Sequence, residues 1–130
     1  MERTIYSSNS PWEDIVGYSR VVRTGNIIEV AGTTSTDDGK VVGMNDYYSQ
    51  TKFIFEKIEK SLRQAGASMK DVTRTRMFVC DISKWEEVGT AHAEFFKDIK
   101  PVATMVEVSR LITPELLVEI EVTAVVSIEK

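Results

Sequence analysis

The chain has 130 residues, 42% hydrophobic and 28% charged, with 16 Lys and Arg against 20 Asp and Glu for a formal charge of -4. That length is enough for one domain to bury a core without disulfides or metal, and an acidic balance with a pI near 5.1 argues against a broad basic surface and so against nucleic acid as a partner. The single cysteine, Cys80, leaves no intramolecular disulfide. No run approaches the roughly 18 apolar residues that span a bilayer, and MERTIYSSNSPWED lacks the apolar core of a secretory signal. The expectation is a cytoplasmic protein with no membrane partner.

Asn9, Ser10 and Pro11 signal a turn before the first strand candidate. Tyr18 to Val22 and Ile27 to Ala31 are short β-leaning runs separated by Thr24-Gly25-Asn26, the spacing of a hairpin. Gly32 follows as a site for a bulge or a close backbone approach. Thr36-Asp37-Asp38-Gly39 marks a second turn, with Val41 and Val42 beyond it.

The period then changes. Tyr48, Thr51, Phe55, Ile58, Leu62 and Ala65 recur at steps of three and four, which predicts an amphipathic helix from about Asn45 to Ala65. Asn45 or Asp46 supplies its N-cap and Gly66 its C-cap. Val72 to Cys80 is the next strand, with Thr73, Thr75, Met77 and Val79 to one side and Arg74, Arg76, Phe78 and Cys80 to the other. A second helix is expected from about Lys84 to Asp98, with Ser83 and Glu86 forming a capping box and Trp85, Val88, His92 and Phe95-Phe96 as its apolar stripe.

Pro101 ends that pattern and admits two alternating strands. In the first, Thr104, Val106 and Val108 oppose Ala103, Met105 and Glu107; in the second, Val118, Ile120, Val122, Ala124 and Val126 oppose Leu117, Glu119, Glu121 and Thr123. The whole reads as an α+β sheet with two helices on one face. We expect Val106, Val108, Val118, Ile120 and Val122 beneath the helices. The other face would carry Arg74, Arg76, Phe78, Met105, Glu107, Glu119 and Glu121. Such a mixed face calls for a cover, and another copy of the chain is the common solution.

These segments resemble the YjgF/RidA (Rid) family, known under an older name as L-PSP endoribonucleases. The resemblance is carried by Gly17-Tyr18, Val30-Ala31-Gly32, RTRMFVCDI at 74–82 and the closing Pro101, VEVSRL at 106–111 and VEIEV at 118–122. It implies a single-domain β-β-α-β-α-β-β fold over residues 1–130, of the chorismate mutase-like or YjgF-like type, assembling as a trimeric barrel with a cleft between each pair of subunits. RidA-type members bind small carboxylates there and hydrolyse reactive imines and enamines, 2-iminobutanoate and 2-iminopropanoate among them, without cofactor or metal. Some relatives are described instead as ribonucleases or translation inhibitors.

The resemblance also marks departures. RidA-type members carry, two residues after the proline, an arginine that grips the substrate carboxylate; here that position is Ala103. The serine before the strand-two glycine is Ala31, and an asparagine of helix two is matched by Gly89. Tyr18 is retained, as is Glu119, which the resemblance implies positions the attacking water. The chain therefore looks like an arginine-less member, in which the usual imine deaminase chemistry is not expected.

The candidate site comprises Glu119 as the catalytic carboxylate, with Tyr18, Ala31, Gly32, Arg76, Ala103, Thr104 and Met105 lining a small-molecule pocket. Two readings of Glu119 stand side by side: a base for water, or an ion-pair partner for Arg74 or Arg76. Arg76 likewise either supplies the cation missing at Ala103 or closes a salt bridge across the sheet. His92, the lone histidine, has no second His or Cys at ligand spacing, so no metal site is expected. The functional alternatives are an enzyme acting on C–N bonds and a non-catalytic trimer that binds a metabolite or protein.

Overall fold

A computed structural model describes residues 1–127. Eight strands and two main helices run in the order β1 (Arg3–Tyr6), β2 (Val21–Thr24), β3 (Ile27–Thr34), β4 (Thr36–Asp37), β5 (Lys40–Val41), α1 (Tyr47–Gln64), β6 (Val72–Val79), α2 (Trp85–Phe96), β7 (Val102–Glu107) and β8 (Val118–Val125). Six of the strands form one sheet in the order β1-β2-β3-β8-β6-β7, and β4 and β5 form a separate hairpin. Among the described residues only β6 and β7 pair in parallel, as expected of strands joined through a helix.

The elements form for local reasons. Asp46 caps α1 by accepting from the Ser49 amide at 3.0 Å, and Gly66 ends it in the left-handed region at φ +88°, where a side chain would be strained. Asp38 and Gly39, at φ +50° and +79°, make the tight turn between β4 and β5. One face of α1 buries Ile54, Phe55, Ile58 and Leu62 completely, each worth about 1.5–3 kcal/mol against exposure. They meet Val21, Ile28 and Val30 from one half of the sheet and Met77, Val79, Val118, Ile120 and Val122 from the other. Helix α2 adds Val88, Ala91 and Phe96.

Several expectations need correction. An additional strand, β1, pairs with β2; its side chains at Arg3, Thr4 and Ile5 are exposed, so backbone bonding rather than an apolar pattern holds it. Tyr18 precedes its strand, which begins at Val21. On α1, Tyr47 and Ile54 are buried, whereas Tyr48 lies at the surface and donates to Glu94 at 2.8 Å. The Ser83–Glu86 capping box is not formed: Ser83 instead donates through its amide and hydroxyl to Asp81, in a short 3-10 turn that precedes α2. Trp85 is 54% exposed, outside the stripe it was assigned to.

The parity of β7 is reversed. Its parallel register sets Ala103 beside Thr75, Met105 beside Met77 and Glu107 beside Val79, and Thr75, Met77 and Val79 are buried toward the helices. Met105 therefore packs against the core. Thr104 and Val106 lie on the opposite face with Arg76 and Phe78. Alternation in an edge strand defines two faces but not which is buried; the pairing to β6 decides it.

That second sheet face is left uncovered within the chain. Ile27, Val102, Val106 and Val125 are 44%, 56%, 42% and 38% exposed there, among Arg74, Arg76, Glu119 and Glu121.

Candidate functional site

Strand β3 is interrupted. Its register with β8 runs from Ile27 to Val30 and resumes at Thr33, so Ala31 and Gly32 form a bulge. The bulge turns their carbonyls out of the ladder and brings the backbone against Glu119 of β8. A Cβ built on Gly32 would collide with Glu119 Oε2 and lie 3.1 Å from its Cδ. Gly32 is not in the left-handed region, so what requires glycine here is space for the carboxylate.

Glu119 itself is half-buried, and among the described residues its carboxylate enters no ion pair and owes none of its shift to a hydrogen bond. Burial pushes its carboxyl above the ordinary value; Arg20 pulls it partly back and neighbouring Glu121 adds to the rise. A half-desolvated carboxylate with a raised affinity for protons and a free oxygen is suited to take a proton from water.

The cation of this neighbourhood is Arg20, which sequence reasoning missed. Its Nη1 donates to Gly32 O at 2.9 Å, Thr33 Oγ1 at 3.0 Å and Ala31 O at 3.3 Å, and its guanidinium carbon sits 5.9 Å from the centre of the Tyr18 ring. A second cation, Lys57 of α1, donates to Thr34 O at 3.0 Å and Thr36 O at 2.8 Å. Burial, and then the charge of Arg20, hold its ammonium below the usual lysine range. The only sequence signal for Arg20 was its position beside a retained Tyr18, since its acceptors are mostly main-chain carbonyls.

The predicted residues fall into two groups. Tyr18, Ala31, Gly32 and Glu119 gather around the bulge, with Tyr18 37% exposed. Ala103, Thr104 and Met105 stand on edge strand β7, two strands from β8 and hence about 10 Å away by strand spacing. Within that group Ala103 and Met105 face the helices and Thr104 faces the other way. Arg76 lies beside Thr104 and opposite Glu121. The salt bridges foreseen between Arg74 or Arg76 and the glutamates are absent among the described residues, whose ion pairs are Arg63–Glu59 and Lys84–Glu87.

The remaining candidates are engaged structurally. Glu107 accepts from the Ile82 amide at 3.0 Å. His92 Nε2 lies 2.9 Å from Thr75 Oγ1 with its ring against Phe55 and Phe96. Cys80 Sγ lies 3.5 Å from Leu116 O. Among the described residues no group of three or more His, Cys, Asp or Glu is placed to hold a metal, and no helix is long and apolar enough to cross a membrane.

Residues 8–126 match the endoribonuclease L-PSP family. The crystal structure of Rv2704 from Mycobacterium tuberculosis, a member of the YjgF/YER057c/UK114 family, superposes with a TM-score of 0.87 at 51% identity, covering 96% of this chain and 100% of that one. A RutC family protein of Pyrococcus horikoshii is 33% identical over 126 residues, 95% of this chain and 98% of its own. The 3-aminoacrylate deaminase RutC of Acinetobacter baylyi is 33% identical over 104 residues, 79% of this chain and 82% of its own.

Proposed function

Because the chain belongs to the endoribonuclease L-PSP family, the YjgF/RidA group, we propose that it hydrolyses an imine, enamine or related C–N compound with water held at Glu119. The observation that carries this reading is the Glu119 carboxylate itself, half-buried, outside the ion pairs of the described residues and raised in proton affinity. In the reaction Glu119 removes a proton from water as its oxygen bonds to the imine carbon. The proton passes to nitrogen to give a carbinolamine; Glu119 then moves the proton of the new hydroxyl to the nitrogen as the C–N bond breaks, and a carbonyl compound and ammonia leave. A carboxylate with a raised pKa is a better base for this than an exposed one.

The working unit in this proposal is a homotrimer with ligand clefts between subunits. The uncovered sheet face supports it, since Val102, Val106 and Ile27 are left to water in a single chain. In such an assembly the β7 residues Ala103 and Thr104 belong to the cleft wall through a neighbouring copy. Ala103 cannot grip a carboxylate as the arginine of RidA-type members does, so an acidic substrate has to be held by another cation. The relation to a 3-aminoacrylate deaminase makes enamines a natural class to test.

The test is ammonia release from 3-aminoacrylate and from freshly generated imines of several amino acids, with wild type, Glu119→Gln and Ala103→Arg, each checked for trimer by sedimentation. Wild type is expected to accelerate hydrolysis of at least one compound. Glu119→Gln should lose about 10²-fold or more, the usual weight of a general base, and Ala103→Arg should shift the preference toward amino-acid imines. Wild-type rates in Glu119→Gln, or no acceleration across the panel, would leave the non-catalytic binding trimer as the better reading.

A further inference from the structure

We propose that Arg20 binds the acidic group of the ligand, so that a small anionic C–N compound lies over the β3 bulge with its carboxylate on Arg20 and its reacting carbon toward Glu119. This rests on the reading of the Glu119 hollow as the reaction site. A guanidinium has five N–H donors in a rigid fork. In Arg20 the Nη1 corner is committed to Ala31 O, Gly32 O and Thr33 Oγ1. Among the described residues no acceptor engages Nε or Nη2. Those two nitrogens form the side edge of the group, whose parallel N–H bonds match the two oxygens of a carboxylate.

The charge balance points the same way. Arg20 acts on both Glu119 and Glu13 across space, yet neither is within ion-pair distance of it among the described residues. Lys57 on the helix side adds a second positive charge, with its hydrogen bonds taken by the main chain. The end of β3 thus carries two cations and no closely paired anion. The Tyr18 ring beside the guanidinium limits its swing, so the fork is fixed before a ligand arrives and little ordering entropy remains to be lost.

The arrangement differs from one built on the edge strand. With a grip on β7, the anion would be held by a residue of a neighbouring copy; with Arg20, which directly precedes β2 and is anchored on the β3 bulge, the grip and the base belong to the same chain and face one bulge. The distance between acid group and reacting carbon must then be short, which selects small imino or enamino acids and disfavours neutral or cationic C–N compounds.

Binding is measured by calorimetry or ligand-observed NMR with 2-oxobutanoate, a small 2-oxo acid that cannot be deaminated, against its neutral amide. Wild type should prefer the acid by about tenfold or more, as expected for a charge-assisted bidentate contact, and the preference should weaken with added salt. Arg20→Gln should lose the preference. Arg20→Lys, which retains the charge but not the fork, should fall between. An acid preference undiminished in a folded Arg20→Gln, or equal binding of acid and amide by wild type, overturns the proposal. The wild-type comparison stands even if Arg20→Gln fails to fold. Because the probe does not react, failure of the hydrolytic assay leaves this outcome readable on its own.

Discussion

Adding one methyl group at Gly32 tests the site where it is tightest. Gly32→Ala brings no backbone penalty, because this glycine is outside the left-handed region. Its new Cβ would stand 3.1 Å from Glu119 Cδ and 3.4 Å from Cγ, with Oε2 closer still, where carbon contacts ordinarily settle near 3.5–4.0 Å. The carboxylate must swing away, while the backbone can stay. An off-rotamer side chain costs about 0.5–1.5 kcal/mol, and the loss of glycine freedom in the unfolded chain returns about 0.4–1 kcal/mol. Net stability should therefore change by less than about 1 kcal/mol. Displacing a catalytic group by about 1 Å, by contrast, lowers a rate by about 10²-fold. Ammonia release and thermal unfolding measured on the same preparation separate the two effects: the variant should unfold with wild type and be nearly inactive. A variant that keeps both the wild-type rate and the wild-type unfolding temperature would refute the reasoning.

Three further outcomes are expected. Glu119 has a folded-state pKa above the ordinary glutamate value of 4.5; the unfolded chain loses this proton first as pH rises, so stability falls through that window and the penalty persists above it. Urea titrations should find Glu119→Gln more stable than wild type at neutral pH, with the difference vanishing below pH 4.5. His92 is shifted the other way, below 6.5, by burial; its lone imidazole NMR signal should titrate below that value, and the accompanying loss of stability under pH 6.5 should be absent in His92→Gln. Gln50 is fully buried and bonds Gly43 O, Glu115 O and the Leu117 amide; Gln50→Leu should cost about 2–4 kcal/mol in urea unfolding by stranding those main-chain groups, and a loss under about 1 kcal/mol would mean that water satisfies them.

What could be read from the sequence was whatever depends on near neighbours. Asp46 and Gly66 announce the ends of α1 by their own chemistry, and Gly32 announces the bulge. The alternation of Val118 to Ala124 appears intact in β8 because the strand is central and buried on one face. Choices made by distant pairing were not legible. Val106 and Met105 are both apolar, and only the register to β6 tells that Met105 enters the core. Strand β1 has no buried stripe to betray it. Arg20 was hidden because main-chain carbonyls, which every residue carries, supply most of its anchor, and they become available only once the bulge has formed. Gln50 was missed because a polar residue on an apolar helix face reads as an interruption until its three partners are in place.

The order β1-β2-β3-β8-β6-β7 has a kinetic consequence. The hairpins of β1, β2 and β3 join residues close in sequence, and β6, α2 and β7 form a second local unit, so each can assemble early at small entropic cost. Only β8 connects them, pairing Ile27 with Val125 across roughly a hundred residues of chain, the kind of long-range closure that slows folding. Until β8 is seated, two strand edges are open to other chains, and Glu119 has no bulge to face. Aggregation during refolding and recovery of the site should therefore both be governed by the docking of this one strand.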